Sequence, residues 1–171
     1  MEVKDQLKRK ISLPNPPKRI ISLVPSQTEL LVDMGLEENI LGITKFCVHP
    51  KHLRKYKNIV GGTKQVKLEK IKALDPDFIL CNKEENTQEM VAELEEIAPV
   101  HVSDIIKIED AFELMSQYGE IFKKEALVRT MVNSIRDKIA VLRKKLKDKQ
   151  VKKVAYFIWK KPLMVAGKDN F

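Results

Sequence analysis

Cysteine is scarce. Cys47 and Cys81 are the only two in 171 residues, and they form no CxxC pair, which excludes a disulfide framework. Histidine is nearly as scarce, with His49, His52 and His101. Cys47-Val48-His49 offers a thiolate and an imidazole, but no further His or Cys pattern completes a site, so no metal ligand set is expected. The six glycines form neither a GxGxxG nor a Walker loop. A Ser/His/Asp arrangement and paired acid–base carboxylates are also absent, so nothing argues for an enzyme. No window approaches the ~18 apolar residues of a membrane span. Met1–Lys10 is charged throughout, without the apolar core of a secretory signal.

Positive charge is plentiful, with a net charge of +8. Its location decides what it means. Residues 1–122 carry 17 Lys/Arg against 20 Asp/Glu, whereas residues 123–153 carry 12 against 3. Within that basic segment, Val128, Val132, Ile135, Ile139, Leu142 and Leu146 recur at spacings of four and three. The pattern predicts a helix over 126–148 with one apolar seam and a solvated basic face. At ~1.5 Å per residue such a helix is roughly 35 Å long, about the width of a small domain. No aromatics interleave with its cations, which makes a nucleic-acid-binding role for 123–153 the weakest functional reading.

Residues 1–17 read as a polar arm ending in Pro14-Asn15-Pro16-Pro17, which cannot join a sheet or continue a helix. From Lys18, strand and helix patterns alternate. Strands are expected at 19–24, 40–44, 78–81 and 100–102, and helices at 27–34, 68–74, 87–97 and 108–122. Residues 59–67, with Gly61-Gly62, read as a loop or a very short strand. Strands separated by helical segments call for βαβ units, so 18–122 is expected to be a doubly wound α/β lobe on a parallel sheet. The helix over 123–150 then leads to strand Val154–Trp159 and a loop at Pro162–Phe171, the start of a second, incomplete α/β lobe over 151–171. A lone strand cannot bury its two faces. It is expected to pair with strands outside this chain, with the first lobe's edge or with another molecule, and the second lobe reads as truncated.

The corner at Pro25-Ser26-Gln27-Thr28-Glu29 joins the first strand of the lobe directly to a helix. It gathers free N–H groups and small polar side chains at the carboxyl end of a parallel strand, where open α/β sheets bind ligands. Ser26 and Glu29 also have the spacing of a capping box, and both roles remain open. Phe46-Cys47-Val48-His49 follows the second strand, either as a buried Cys and satisfied His or as a ligand-lining loop. Gly61-Gly62-Thr63-Lys64 is an ordinary turn, or a close backbone approach to an anion with Lys64 as a point charge. Asn82 and Asn86 bracket the exit of the fourth strand, where Asn86 and Glu89 repeat the capping spacing.

The ordered set RIISLVPSQTELLVDMG, LGITKFCVHP, LEKIKALDPDFIL and VAYFIWKKPLMVAGKDNF resembles the substrate-binding proteins of iron-complex and cobalamin ABC importers. The likeness runs from Lys18 to Phe171 and covers about the first three-fifths of such a protein. It implies two α/β lobes joined by one rigid helix, with a metal chelate (an iron complex or a corrinoid) held between them and no intrinsic cofactor. It also implies a periplasmic or membrane-associated monomer that meets an ABC permease. Phe46 then corresponds to a ligand-facing aromatic and Glu69 to a permease-docking carboxylate. Trp159 either packs under the long helix or forms the far wall of the cleft with Leu163 and Met164. Ser26, Gln27, Thr28, Cys47, His49, Thr63, Lys64, Asn82 and Asn86 complete the expected ligand-lining set. Thr63 and Lys64 stand where the cobalamin binders place a Trp, which disfavours a corrin ring. A cytoplasmic sensor or adaptor using the same lobe without a transporter is the alternative.

Overall fold

The computed structural model describes residues 1–167. Five strands form one all-parallel sheet: β3 (Ile20–Ser22), β4 (Ile40–Ile43), β5 (Asn58–Ile59), β6 (Phe78–Asn82) and β7 (Val100–Ser103). They lie in the order β5-β4-β3-β6-β7. The chain therefore builds outward from β3 to β5, returns to the other side of β3 for β6, and continues to β7. The winding reverses between β3 and β6, the kind of switch point beside which open α/β sheets take their ligands.

Helices cover both faces. Leu31 and Met34, in and just after α1 (Pro25–Asp33), pack with Phe112 and Tyr118 of α5 (Ile108–Ile121) on one face. Ile71 of α3 (Leu68–Ala73) and Met90, Val91 and Leu94 of α4 (Gln88–Glu95) cover the other. A short helix α2 (Leu53–Tyr56) adds Leu53 to the first face. Burial on both sides explains why Phe78-Ile79-Leu80-Cys81 is a continuous apolar run rather than an alternating one.

The first seventeen residues depart from the expected polar arm. Residues β1 (Glu2–Lys4) and β2 (Lys10–Ser12) form an antiparallel hairpin, and Val3, Ile11 and Leu13 enter the core. The prolines come after the hairpin and do not interrupt it. Asp5, fully buried, accepts the Val102 amide at 3.2 Å and the Arg9 Nε at 2.7 Å. Arg9 in turn donates to the Val100 carbonyl at 3.1 Å, and Gln6 accepts the Asp104 amide at 3.1 Å. The hairpin thus satisfies the outer edge of β7 with side chains, which protects an otherwise open sheet edge.

Helix α6 (Glu125–Leu146) realises the predicted seam over only part of its length. Val128 and Val132 are buried, and Ile135 and Ile139 pack against the core, but Leu142 and Leu146 are 54% and 52% exposed. Gly119 of α5 permits the crossing, since a Cβ there would sit 3.3 Å from the Val128 Cβ.

Beyond α6, β8 (Phe157–Trp159) pairs antiparallel with β9 (Met164–Val165). None of the three expected partners is the one used: the strand pairs with a segment of the expected loop that follows it. Both strands of this ribbon remain exposed. The last four residues of the expected loop lie outside the described residues. No helix among the described residues is long and apolar enough to cross a membrane.

A candidate ligand ledge at the carboxyl edge of the sheet

The loops leaving β3, β4, β5 and β6 all emerge at one edge, and together they carry most of the predicted residues. Each loop divides into side chains that face out and side chains that hold the loop in place.

At the β3–α1 corner, Pro25 occupies the first helical position behind Val24. Ser26 therefore sits inside the helix, exposed, and makes no cap; the expected Ser26–Glu29 box does not form. The amides of the first turn lack intrahelical acceptors. Gln27 and Thr28 point inward and are buried. Thr28 Oγ1 donates to the Val24 carbonyl at 3.0 Å and lies 2.8 Å from Ser22 Oγ. Gln27 Oε1 accepts the Tyr118 hydroxyl at 2.6 Å, while its Nε2 donates to Ser103 Oγ at 2.5 Å. One glutamine thus ties the β3 corner to α5 and to β7. Burial pushes the Tyr118 pKa well up, so the phenol stays protonated as a donor.

In the β4 loop, Cys47 is fully buried, and its Sγ lies 3.2 Å from Thr28 Oγ1 and 3.3 Å from Thr44 Oγ1. His49 is exposed. Thiol and imidazole share no face, and no group of three or more His, Cys, Asp or Glu among the described residues could hold a metal. Phe46 is 50% exposed, with the Lys45 ammonium 5.1 Å from its ring centroid.

The β5 and β6 loops are tied together. Asn86, buried, accepts the Asn82 amide at 2.8 Å and donates to the Thr63 carbonyl at 2.7 Å. Thr87, not Asn86, caps α4, its side chain accepting from the Met90 amide. The Lys64 ammonium donates to the Glu84 carbonyl. Asn82 Oδ1 accepts the Glu84 and Glu85 amides, and its Nδ2 donates to Ser103 Oγ at 3.0 Å. Gly61, at φ +138°, turns the chain so that it bridges Val66. Beside this turn lies a groove of about 600 Å³ lined by Lys45, Ile59, Gly61, Gly62, Gln65, Val66, Lys67 and Lys70.

The outcome is a ledge. Ser26, Phe46, His49 and Lys64 face solvent, Asn82 lies half-buried, and Gln27, Thr28, Cys47, Thr63 and Asn86 form the support beneath. Glu69 stands near the start of α3, its side chain 91% exposed and 4.0 Å from Lys72. Among the described residues, no hydrogen bond joins Trp159 to the ledge. It is 61% exposed on β8, and its indole donates to the Lys161 carbonyl at 2.7 Å. Tyr118 and Ser103 were missed in the sequence because their polar tips ride on otherwise apolar elements. Asp5 and Arg9 were missed because only the docked hairpin reveals their contacts.

A comparison with known families matches residues 20–170 to the periplasmic binding protein family. The chain belongs to that family. It is 25% identical, over 99% of its own length, to the ABC transporter substrate-binding lipoprotein YvrC of Bacillus subtilis. It is 29% identical, over 90%, to the vitamin B12-binding protein of Vibrio campbellii, and covers 56% of each of these two relatives. The crystal structure of the petrobactin-binding protein YclQ from B. subtilis superimposes with a TM-score of 0.77 at 28% identity, over 86% of this chain and 53% of that one. The chain therefore spans about half the length of the curated relatives it matches.

Proposed function

We propose that this member of the periplasmic binding protein family is a solute-binding component of an ABC importer, and that it binds a metal chelate, an iron complex or a corrinoid, without catalysis. Residues 18–122 act as the N-terminal lobe, 123–150 as the connecting helix and 151–171 as the start of the second lobe. The observation that carries this reading is the convergence of four loops at the carboxyl edge, around the point where the sheet's winding reverses. Such an edge is where open α/β sheets take ligands. Ser26, Phe46, His49, Lys64 and Asn82 are the contact residues in this reading, with Gln27, Thr28, Cys47, Thr63 and Asn86 setting their positions. Trp159 contributes from the second lobe. Glu69 docks on the permease, and the protein works as a monomer on the outer side of the membrane. The names of the relatives, which bind vitamin B12 and petrobactin, support a metal-chelate ligand.

Thermal unfolding in the presence of cyanocobalamin and a panel of ferric chelates tests the proposal. A ligand that binds only the native state at a hundred times its dissociation constant stabilises by ~2.7 kcal/mol. A shift with one class, reduced by Phe46→Ala, is the expected result. No shift with either class, or a shift indifferent to Phe46→Ala, would refute it.

A further inference from the structure

The positive charge gathered in residues 123–153 has no part in the ledge, and it is densest at the far end of α6. Between Arg143 and Lys153 stand seven Lys/Arg against the one carboxylate of Asp148, and every residue of that stretch is exposed. Residues 1–122, by contrast, carry more Asp/Glu than Lys/Arg. At the same end the apolar seam leaves the lobe. Ile135 and Ile139 still pack against the core, whereas Leu142 and Leu146 are exposed, with Val141 beside them.

The two features share one surface of the helix. Lys138 and Lys145 lie four before and three after Leu142, and Arg143 lies three before Leu146, spacings at which side chains are neighbours. Asp137 lies nine before Leu146, about two and a half turns at 3.6 residues per turn, and so falls on the opposite side. The exposed leucines are thus bordered by cations. The long stems of Lys and Arg let such an apolar strip sink to headgroup depth while their charged ends reach out to phosphates. A helix of this type lies in the plane of a membrane rather than across it, and roughly four to eight Lys/Arg on it recognise anionic lipid. A nucleic acid would use the cations but not the leucines, and residues 123–153 hold no aromatic side chain to stack on bases.

We propose that the exposed end of α6, from Lys138 onward, is a docking surface for an anionic lipid bilayer. Leu142 and Leu146 enter the headgroup region, and Lys138, Arg143, Lys145 and the cations that follow pair with lipid phosphates. This contact holds the lobe against the membrane surface independently of any solute at the ledge.

Co-sedimentation of the full chain with vesicles tests this, comparing equimolar phosphatidylglycerol and phosphatidylcholine with phosphatidylcholine alone. Binding is expected with the anionic vesicles only, and it should weaken as salt rises toward ~0.15 M, where the Debye length is about 8 Å. The Lys138→Gln/Arg143→Gln/Lys145→Gln variant should bind about a hundredfold more weakly, from about fivefold per cation at the surface. Leu142→Ser/Leu146→Ser should weaken binding by about tenfold or more. The Lys51→Gln/Arg54→Gln/Lys55→Gln variant removes the same charge from an exposed stretch of the lobe and should bind as the parent does. Far-UV circular dichroism checks that all three variants fold. Equal binding to the two kinds of vesicle, equal losses in the two charge variants, or undiminished binding by the leucine variant would each overturn the proposal. A dimer in sedimentation equilibrium that the leucine variant alone lacks, together with that undiminished binding, would assign the apolar strip to a second copy instead. Tighter binding to a single-stranded oligonucleotide than to the anionic vesicles would also overturn it.

Discussion

Gln27 offers the sharpest test of how the ledge is supported. It is 2% exposed, yet it spans α5 and β7 through one carboxamide. Gln27→Leu keeps the approximate volume and removes the polar end. The Tyr118 hydroxyl then loses its acceptor at 2.6 Å in a site closed to water. A buried donor stranded in this way costs about 1–3 kcal/mol. Ser103 suffers less, because its Oγ still accepts from Asn82 Nδ2 at 3.0 Å and donates to the Cys81 carbonyl at 3.2 Å. The expected loss for Gln27→Leu is therefore about 2–3 kcal/mol. Tyr118→Phe strands only an acceptor and should cost about 1–2 kcal/mol. The double variant removes both ends of the bond, so its loss should fall short of the sum by about 1 kcal/mol or more. Urea unfolding followed by far-UV circular dichroism measures all three. With a slope of about 2 kcal/mol/M, the Gln27→Leu midpoint should drop by about 1 M. A Gln27→Leu loss below about 0.5 kcal/mol, or strict additivity in the cycle, would refute the bridging role.

His101 gives a pH dependence of definite sign. It is buried, its Nε2 faces Gln117 Oε1 at 2.9 Å, and its Nδ1 has no partner among the described residues. Burial holds its pKa below the usual 6.5, so the unfolded chain takes up a proton first. Stability should hold above that value and fall as pH drops below it, by up to ~1.4 kcal/mol per pH unit. His101→Gln should flatten that part of the urea-midpoint profile, and an unaltered slope would contradict the assignment. Burial pushes the Cys81 thiol up to about 12, and Cys47 is also buried. A thiol-specific disulfide reagent at pH 8 should therefore leave the native protein untouched and titrate both cysteines after denaturation; rapid labelling of the native protein would count against the buried placement. Gly61→Ala would bring a Cβ to 2.6 Å from the Gln65 carbonyl oxygen at φ +138°. It should cost about 1–3 kcal/mol and loosen the Lys45 amide, which donates to the Gly61 carbonyl at 2.8 Å. Amide hydrogen exchange at Lys45 reads this directly, and unchanged protection would show the turn to be tolerant.

The parallel sheet was legible because its central strands are buried on both faces, and Phe78-Ile79-Leu80-Cys81 can be little else. The corner at Pro25 was legible too, since proline after a β-branched run marks the start of a helix. The capping roles were not. Ser26 and Thr87 differ by whether they stand inside or before the first helical turn, a shift of one or two residues that the shared spacing cannot settle. The loops of the ledge were grouped at one edge because strands joined by crossover helices run parallel, so their exits share that edge. Which of their side chains face out was beyond the sequence. Cys47 and His49, two residues apart, point to different surroundings because Thr28 and Thr44 capture the thiol.

By itself, then, the sequence determined the α/β lobe, the order of its elements, the helix that follows and the family resemblance, all carried by local periodicity and turn chemistry. The tertiary structure alone decided the rest. Asp5 and Arg9 turn a charged N-terminal stretch into a sheet-edge hairpin. Gln27 becomes a buried strut, and the seam of α6 is buried for only half its length. Each of these depends on contacts between residues far apart in the chain, whose free energy exists only once the packing has brought them together.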